Sequence, residues 1–191
     1  MLNTNNWNII LASQSPRRKQ LLEQLGYTFT QKSKDTDESF SKEIPLREVA
    51  EHLSVKKAAA FAEEIKHRDL IIASDTIVLI DNEILNKPNT NQETFAMLAK
   101  LSGKQHEVIT GVCLKSKAKE MSFSVSTTVF FEELKKEEIN YYIEKYKPFD
   151  KAGAYGIQEW IGLIGVSKIE GSFYNVMGFP TKEVYEAIER F

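Results

Sequence analysis

The stretch Trp7–Gly26, WNIILASQSPRRKQLLEQLG, decides the fold. Trp7–Leu11 is a short apolar run, the pattern of a buried strand. Ser13-Gln14-Ser15 forms a polar turn. Ser15 is placed to cap a helix, and Pro16 suits the first helical position, where a missing N–H costs nothing. Leu21, Leu22 and Leu25 then fall on one helical face, and Gly26 ends the helix. Arg17 and Arg18 therefore stand in the first turn, where the helix macrodipole is already positive. Two arginines beside unpaired backbone N–H groups and two serines make an anion site, with phosphate the natural ligand. The alternative is that both arginines point to water or pair with nearby acids.

Working outward, Tyr27–Gln31 alternates as a strand, and Lys32–Glu43 is polar. Within the latter, DTDES (Asp35–Ser39) is either a solvated loop or a place where Asp37 or Glu38 meets a divalent cation together with phosphates. A helix is predicted over Leu46–His67, with Val49, Leu53, Ala60, Phe61 and Ile65 inward; Lys56 and Lys57 lie mid-helix. Leu70–Ile80 is β-branched and apolar, a central strand. A carboxylate at Asp75, in its middle, is expensive unless paired, hydrogen-bonded or metal-bound. Asp75 is thus either a structural acid satisfied by a neighbouring arginine or a catalytic or metal-binding one. Asp81-Asn82-Glu83 reads as a hairpin turn leading to Lys87-Pro88, and Pro88 would help aim Lys87.

A helix follows over Thr94–Leu101, a strand over Gln105–Leu114, and a polar turn over Lys115–Glu120. Met121–Phe131 alternates, with Phe123, Val125, Thr127, Val129 and Phe131 on one face, so the sheet is antiparallel or mixed. Helices are expected over Leu134–Tyr146 and Thr181–Phe191. Between them, KAGAYGIQEWIG (Lys151–Gly162) and GSFYNVMGFP (Gly171–Pro180) are glycine-rich, and glycine permits close approach of main chain to a ligand. Gln158 carries both a donor and an acceptor and can read a base edge. Tyr155 is either core or a support for a base.

Composition narrows the classes. The 191 residues suffice for one core or two small lobes. A net charge of −2 excludes a global field for nucleic acid or anionic lipid, so any positive charge must be local. One cysteine, Cys113, excludes a disulfide framework and fits a reducing compartment; in its apolar run it is a buried, inert thiol. MLNTNNWN lacks the pattern of a signal peptide, and no apolar run reaches membrane-spanning length, so the expected setting is the cytoplasm. His52, His67 and His106 lack metal-ligand spacing. Neither GxGxxG, GxxxxGK[ST] nor GxSxG is present.

Four blocks, ILASQSPRRKQLLEQLG, ASDTIVLIDNEILNKP, DKAGAYGIQ and GSFYNVMGFP, resemble in order and spacing the signature blocks of the Maf proteins. The resemblance covers nearly the whole chain as a single domain, 1–191. It implies an inosine-triphosphatase-like α/β fold: an elongated mixed β-sheet flanked by helices, two lobes and a central cleft. It also implies a nucleoside triphosphate pyrophosphatase that needs a divalent metal (magnesium or manganese), is commonly a homodimer, and belongs to a family historically linked to septum formation. Carried over, Asp75 matches the proton acceptor, and Arg17, Thr76 and Gln158 match positions of substrate choice. Ser13, Arg17, Arg18, Lys57 and Lys87 match the phosphate pocket, and Glu38 matches the acidic position of the loop; a metal held partly by Asp75 or Glu38 is expected to bridge phosphate oxygens. Thr76 and AYGIQ resemble the branch acting on dTTP and UTP rather than the sister branch preferring 7-methyl-GTP. A nucleotide-sensing division protein is the alternative from outside enzymes. The chain departs from the pattern at Glu159, where many members carry Gly; an acid beside the base-reading residue is expected to bear on pyrimidine preference.

Overall fold

In a computed structural model, which describes residues 7–191, the opening stretch folds as its pattern dictates. Strand β1 (Asn8–Ala12) leads through the serine turn into helix α1 (Pro16–Gln24). The Ser15 side chain caps α1 by accepting from the Arg18 amide, and Gly26 leaves the helix at φ 84°. The return strand β2 (Phe29–Lys32) lies parallel to β1, with Ile9 opposite Phe29, so β1–α1–β2 is a crossover unit. Residues 1–6, part of the MLNTNNWN stretch read as lacking a signal-peptide pattern, lie outside the described residues.

The other side of β1 pairs in parallel with β3 (Asp69–Ile80), Ile9 opposite Leu70. The hairpin at Asp81-Asn82 forms with φ 51° and 60°, the two positive values a two-residue turn of this kind requires, and β4 (Glu83–Leu85) folds back antiparallel on β3. Three further strands, β5 (Gln105–Lys115), β6 (Glu120–Phe131) and β7 (Val166–Glu170), complete a seven-stranded mixed sheet ordered β2-β1-β3-β5-β6-β7, with β4 beside β3. Helices α2 (Val49–Ala59), α3 (Asn91–Leu101), α4 (Lys136–Tyr146), α5 (Trp160–Gly165), α6 (Phe173–Val176) and α7 (Thr181–Arg190) accompany it. No helix among the described residues is long and apolar enough to cross a membrane.

The residues fall into two compact units. One comprises residues up to Asp75, Thr110–Val125 and Gly178–Phe191; the other comprises Thr76–Ile109 and Ser126–Met177. The first has a core of Ile10, Ala12, Ala58, Phe61, Ile71 and Cys113 among others. Cys113 is fully buried, and burial pushes its thiol up to about 12, as an inert core residue requires. In this unit Gly111 lies so close to α2 that a Cβ there would stand 2.2 Å from the Ala50 carbonyl oxygen; only glycine lets β5 approach the helix. The second unit packs Val78, Leu98, Val129, Phe131, Tyr142 and Tyr155 into its own core.

Two sequence expectations are corrected. The helix predicted over Leu46–His67 is a 3₁₀ turn at Leu46–Glu48 followed by α2, which stops at Ala59. Beyond it the amides of Phe61, Ala62 and Glu64 bond three residues back rather than four. Phe61 and Ile65 are buried all the same, because their spacing of four suits successive turns as well as a helix. The glycine-rich last quarter, read without regular elements before the final helix, holds α5, β7 and α6. Gly162 and Gly165 lower the intrinsic helix preference of α5, so neither pattern nor propensity marks it.

In the second unit, His106 brings Nε2 to 2.7 Å from the Tyr155 hydroxyl, while its Nδ1 is buried without a partner among the described residues. Burial lowers its pKa to about 4, so the ring is neutral in the folded protein. Between that value and the ordinary one near 6.5, the unfolded chain binds a proton that the folded chain does not. Stability therefore falls as pH drops through this window. Urea unfolding at pH 7.5 and pH 4.5 is expected to show an acid destabilisation about 3 kcal/mol larger in the wild type than in His106→Gln. An equal loss in both would show that His106 does not contribute.

Candidate active site

The first unit holds six of the candidate site residues singled out from the sequence: Ser13, Arg17, Arg18, Glu38, Lys57 and Asp75. Asp75 sits in β3 with 8% of its surface exposed, and its carboxylate Oδ1 meets the Lys57 ammonium from α2. The same Lys57 Nζ is 2.7 Å from Glu38 Oε1. One ammonium is thus shared by two carboxylates, with the lysine side chain 17% and that of Asp75 12% exposed. The strand carboxylate is thus paired, and its partner is a lysine, Lys57, where a structural reading of the sequence expects an arginine.

Lys56 turns to the same segment. Its Nζ lies 2.9 Å from Asp37 Oδ2 and donates to the Ser39 carbonyl at 3.0 Å. Asp37 in turn accepts from the Ser39 hydroxyl at 2.5 Å and the Ser39 amide at 2.9 Å. The Ser39 hydroxyl foremost, then Lys56, holds the Asp37 carboxyl well below the usual range. Lys34 fastens the start of the segment, donating to the Ala60 carbonyl at 2.9 Å and pairing with Glu64 at 2.5 Å. The acidic stretch is therefore an irregular segment fastened by Lys56 and Lys57 to α2 and by Lys34 to the turns that follow it, and it presents Glu38 to Lys57. Asp37 belongs to the fastening.

Arg18 reaches from the first turn of α1 into the protein. Its Nε donates to the Gly178 carbonyl at 2.9 Å, and its Nη1 donates to the Ser74 carbonyl at 2.7 Å and to Ser13 Oγ at 3.3 Å. Burial draws its pKa down, with Asp75 opposing, Arg17 adding to the drop and Glu38 opposing; an arginine remains charged all the same. Arg18 thus ties the serine turn to the residue before Asp75. Ser13, 8% exposed, also accepts from the Ser15 amide at 3.2 Å, and its carbonyl accepts from Gln31 Nε2 at 2.7 Å. Arg17, next to it in the same turn, is half-buried. The Ser74 hydroxyl is buried with no hydrogen-bond partner among the described residues.

The remaining residues singled out from the sequence belong to the second unit. Thr76 follows Asp75 in β3 and is partly buried. Lys87 is exposed next to a buried Pro88. Gln158 is exposed. Tyr155 is core, 5% exposed. Sequence reasoning missed Tyr142 and Lys151, both buried and both bonded to Glu159. The only signal for Lys151 was its place at the head of the small-residue run.

The chain matches the family model described as Maf-like protein over residues 8–191, and it belongs to that family. A dTTP/UTP pyrophosphatase of Bacteroides thetaiotaomicron is 45% identical over 189 residues, 98% of each chain. Proteins of the same name from Flavobacterium psychrophilum and Cytophaga hutchinsonii are 48% and 49% identical, covering 94% and 97% of this chain and 92% and 85% of theirs. Among solved structures, the Staphylococcus aureus Ham1 protein aligns with a TM-score of 0.48 at 12% identity, over 65% of this chain and 71% of that one.

Replacing Arg18 with Met removes a charged donor from two backbone carbonyls at once. Urea unfolding is expected to show a loss of roughly 3 kcal/mol; a loss under 1 kcal/mol would mean the tie is not structural.

Proposed function

We propose that this protein hydrolyses dTTP and UTP to the monophosphate and pyrophosphate. The observation that carries the reading is the Lys57 ammonium shared by Asp75 and Glu38, beside the Arg18-bound serine turn, in a chain whose relatives bear that activity as their name. In this reading Asp75 accepts a proton from a water in line with the α-phosphorus as the bond to the bridging oxygen of pyrophosphate breaks. Ser13, Arg17, Arg18, Lys57 and Lys87 are the phosphate-binding residues of this reading, and the positive charge of the arginines and lysines stabilises the leaving pyrophosphate. Arg18, with Nε and Nη1 committed to backbone and Ser13, acts through its field and through the serine it holds. Arg17, Thr76 and Gln158 choose the base.

A divalent ion fits these residues. Asp75 and Glu38 already surround one cationic atom with hard carboxylate oxygens. Among the described residues no group of three or more ionisable ligands could hold a metal by itself. Two carboxylates completed by substrate phosphates is the habit of magnesium or manganese. Once bound, such an ion would neutralise phosphate charge and polarise the reacting phosphorus. The same reading makes the protein a cytoplasmic homodimer, the oligomeric state being checked by sedimentation velocity.

Product analysis tests the reaction. Incubated with magnesium or manganese, dTTP and UTP are expected to yield monophosphate and pyrophosphate, and Asp75→Asn is expected to lower kcat by about a thousandfold with the fold intact by circular dichroism. Near-wild-type turnover of Asp75→Asn would remove Asp75 from the chemistry. The same products from 7-methyl-GTP alone would keep the chemistry and reassign the base. Nucleotide binding with no pyrophosphate release would favour a sensor.

A further inference from the structure

The four-residue turn Gly156–Glu159 is held by a frame that phosphate chemistry does not use. The Glu159 amide donates to the Gly156 carbonyl at 2.9 Å and closes the turn. The Tyr142 hydroxyl, from α4, spans its two ends: it accepts from the Gly156 amide at 3.0 Å and donates to Glu159 Oε2. Lys151, 7% exposed, brings its ammonium to 3.1 Å from Glu159 Oε1 and 2.7 Å from Asp150 Oδ1. Ile157, the second residue of the turn, is 5% exposed and packs in the same core cluster as Tyr142. Gln158, the third, is exposed and makes no hydrogen bond among the described residues. A Cβ on Gly156 would stand 2.8 Å from Glu159 Cδ and 3.0 Å from Lys151 Cε, so glycine makes the room the carboxylate occupies. Burial, with the adjacent carboxylate, pushes the Tyr142 hydroxyl far above its ordinary pKa, so it is a donor at every working pH.

We propose that Glu159 is a positioning residue for nucleotide selection: bridged to Tyr142 and Lys151, it fixes the backbone from which Gln158 presents its amide to the base. This rests on reading Gln158 as the base-contacting residue. An amide discriminates between bases only when its donor and acceptor arrive in a set orientation. A side chain on a loose turn would lose part of that discrimination to the entropy of ordering. The acid beside Gln158 therefore acts through the backbone. Its charge is matched by Lys151, and both of its oxygens are occupied.

The test uses full-length wild type, Glu159→Ala, Glu159→Gln and Tyr142→Phe, with the fold of each checked by circular dichroism. Selectivity is read as the ratio of affinities for the non-cleavable α,β-imido analogues of dTTP and dCTP, and as the ratio of KM values for the parent nucleotides. Glu159→Ala and Tyr142→Phe are expected to lose about tenfold of the preference, with kcat on dTTP within about threefold of wild type. Glu159→Gln keeps an oxygen for Tyr142 and is expected to lose less than Glu159→Ala. Unchanged preference in folded Glu159→Ala overturns the proposal, as does a uniform weakening of both nucleotides, which a purely structural role would produce. If Glu159→Ala does not fold, Tyr142→Phe and Glu159→Gln decide by the same criteria. A wild type that binds the analogues selectively without releasing pyrophosphate defeats the proposed reaction and leaves this inference standing; one that binds them without preference defeats this inference.

Discussion

A carboxylate in the middle of a buried strand needs a cation, and the first unit is arranged around supplying one. Asp75 stands in β3 among Ile71, Ile72 and Ala73, where an unpaired charge would cost several kcal/mol. Lys57 meets that need from α2, and in doing so fixes how α2 lies against the strand. The close pass of Gly111 under Ala50 brings α2 near enough. Lys57 has charge to share, so Glu38 joins it, and the polar segment carrying Glu38 is drawn onto the helix with help from Lys56 and Lys34. Two carboxylates around one positive centre is an arrangement that a folded protein tolerates and a phosphate-bound divalent ion can exploit.

Arg18 does the complementary work beside Asp75, where β1 leads into α1. An arginine in the first turn of a helix opposes the macrodipole. Here that cost is offset by hydrogen bonds to the Ser74 and Gly178 carbonyls, which turn a poor helix residue into a tie between the serine turn and β3. The sequence reading that sets an anion site against arginines pointing to water or pairing with acids does not foresee bonds to backbone carbonyls. Arg18 is bonded internally in a way that holds Ser13 and the backbone next to Asp75 in place, and the positive field stays in the turn.

In the second unit the charge of Glu159 is absorbed locally. On sequence alone Glu159, an acid next to Gln158, reads as a change in what a base would meet. The Tyr142 and Lys151 bonds give it another role, in the frame of the turn. Neither partner could be found by pattern. Tyr142 is one of several aromatics on α4 and Lys151 one of many lysines; what distinguishes them is burial, which depends on how α4 meets the small-residue run.

Local chemistry was legible in the sequence. Ser15 and Pro16 start α1 because capping and a fixed φ act within one turn. Asp81-Asn82 makes the hairpin because two residues tolerant of positive φ sit between apolar runs. Asp75 stood out because a charge inside a β-branched stretch demands a partner wherever it lies. The sequence also set the family, since four blocks in order are a property of the chain. Tertiary structure alone decided which cation answers Asp75, where α2 ends, that Gly162 and Gly165 sit within a short helix, and what Glu159 binds. Lys56 and Lys57 are adjacent, equally charged and equally helical; only packing against β3 separates the one that fastens a loop from the one that completes the site. Ion pairs between residues far apart in sequence depend on distances that the fold creates, and no periodicity encodes them.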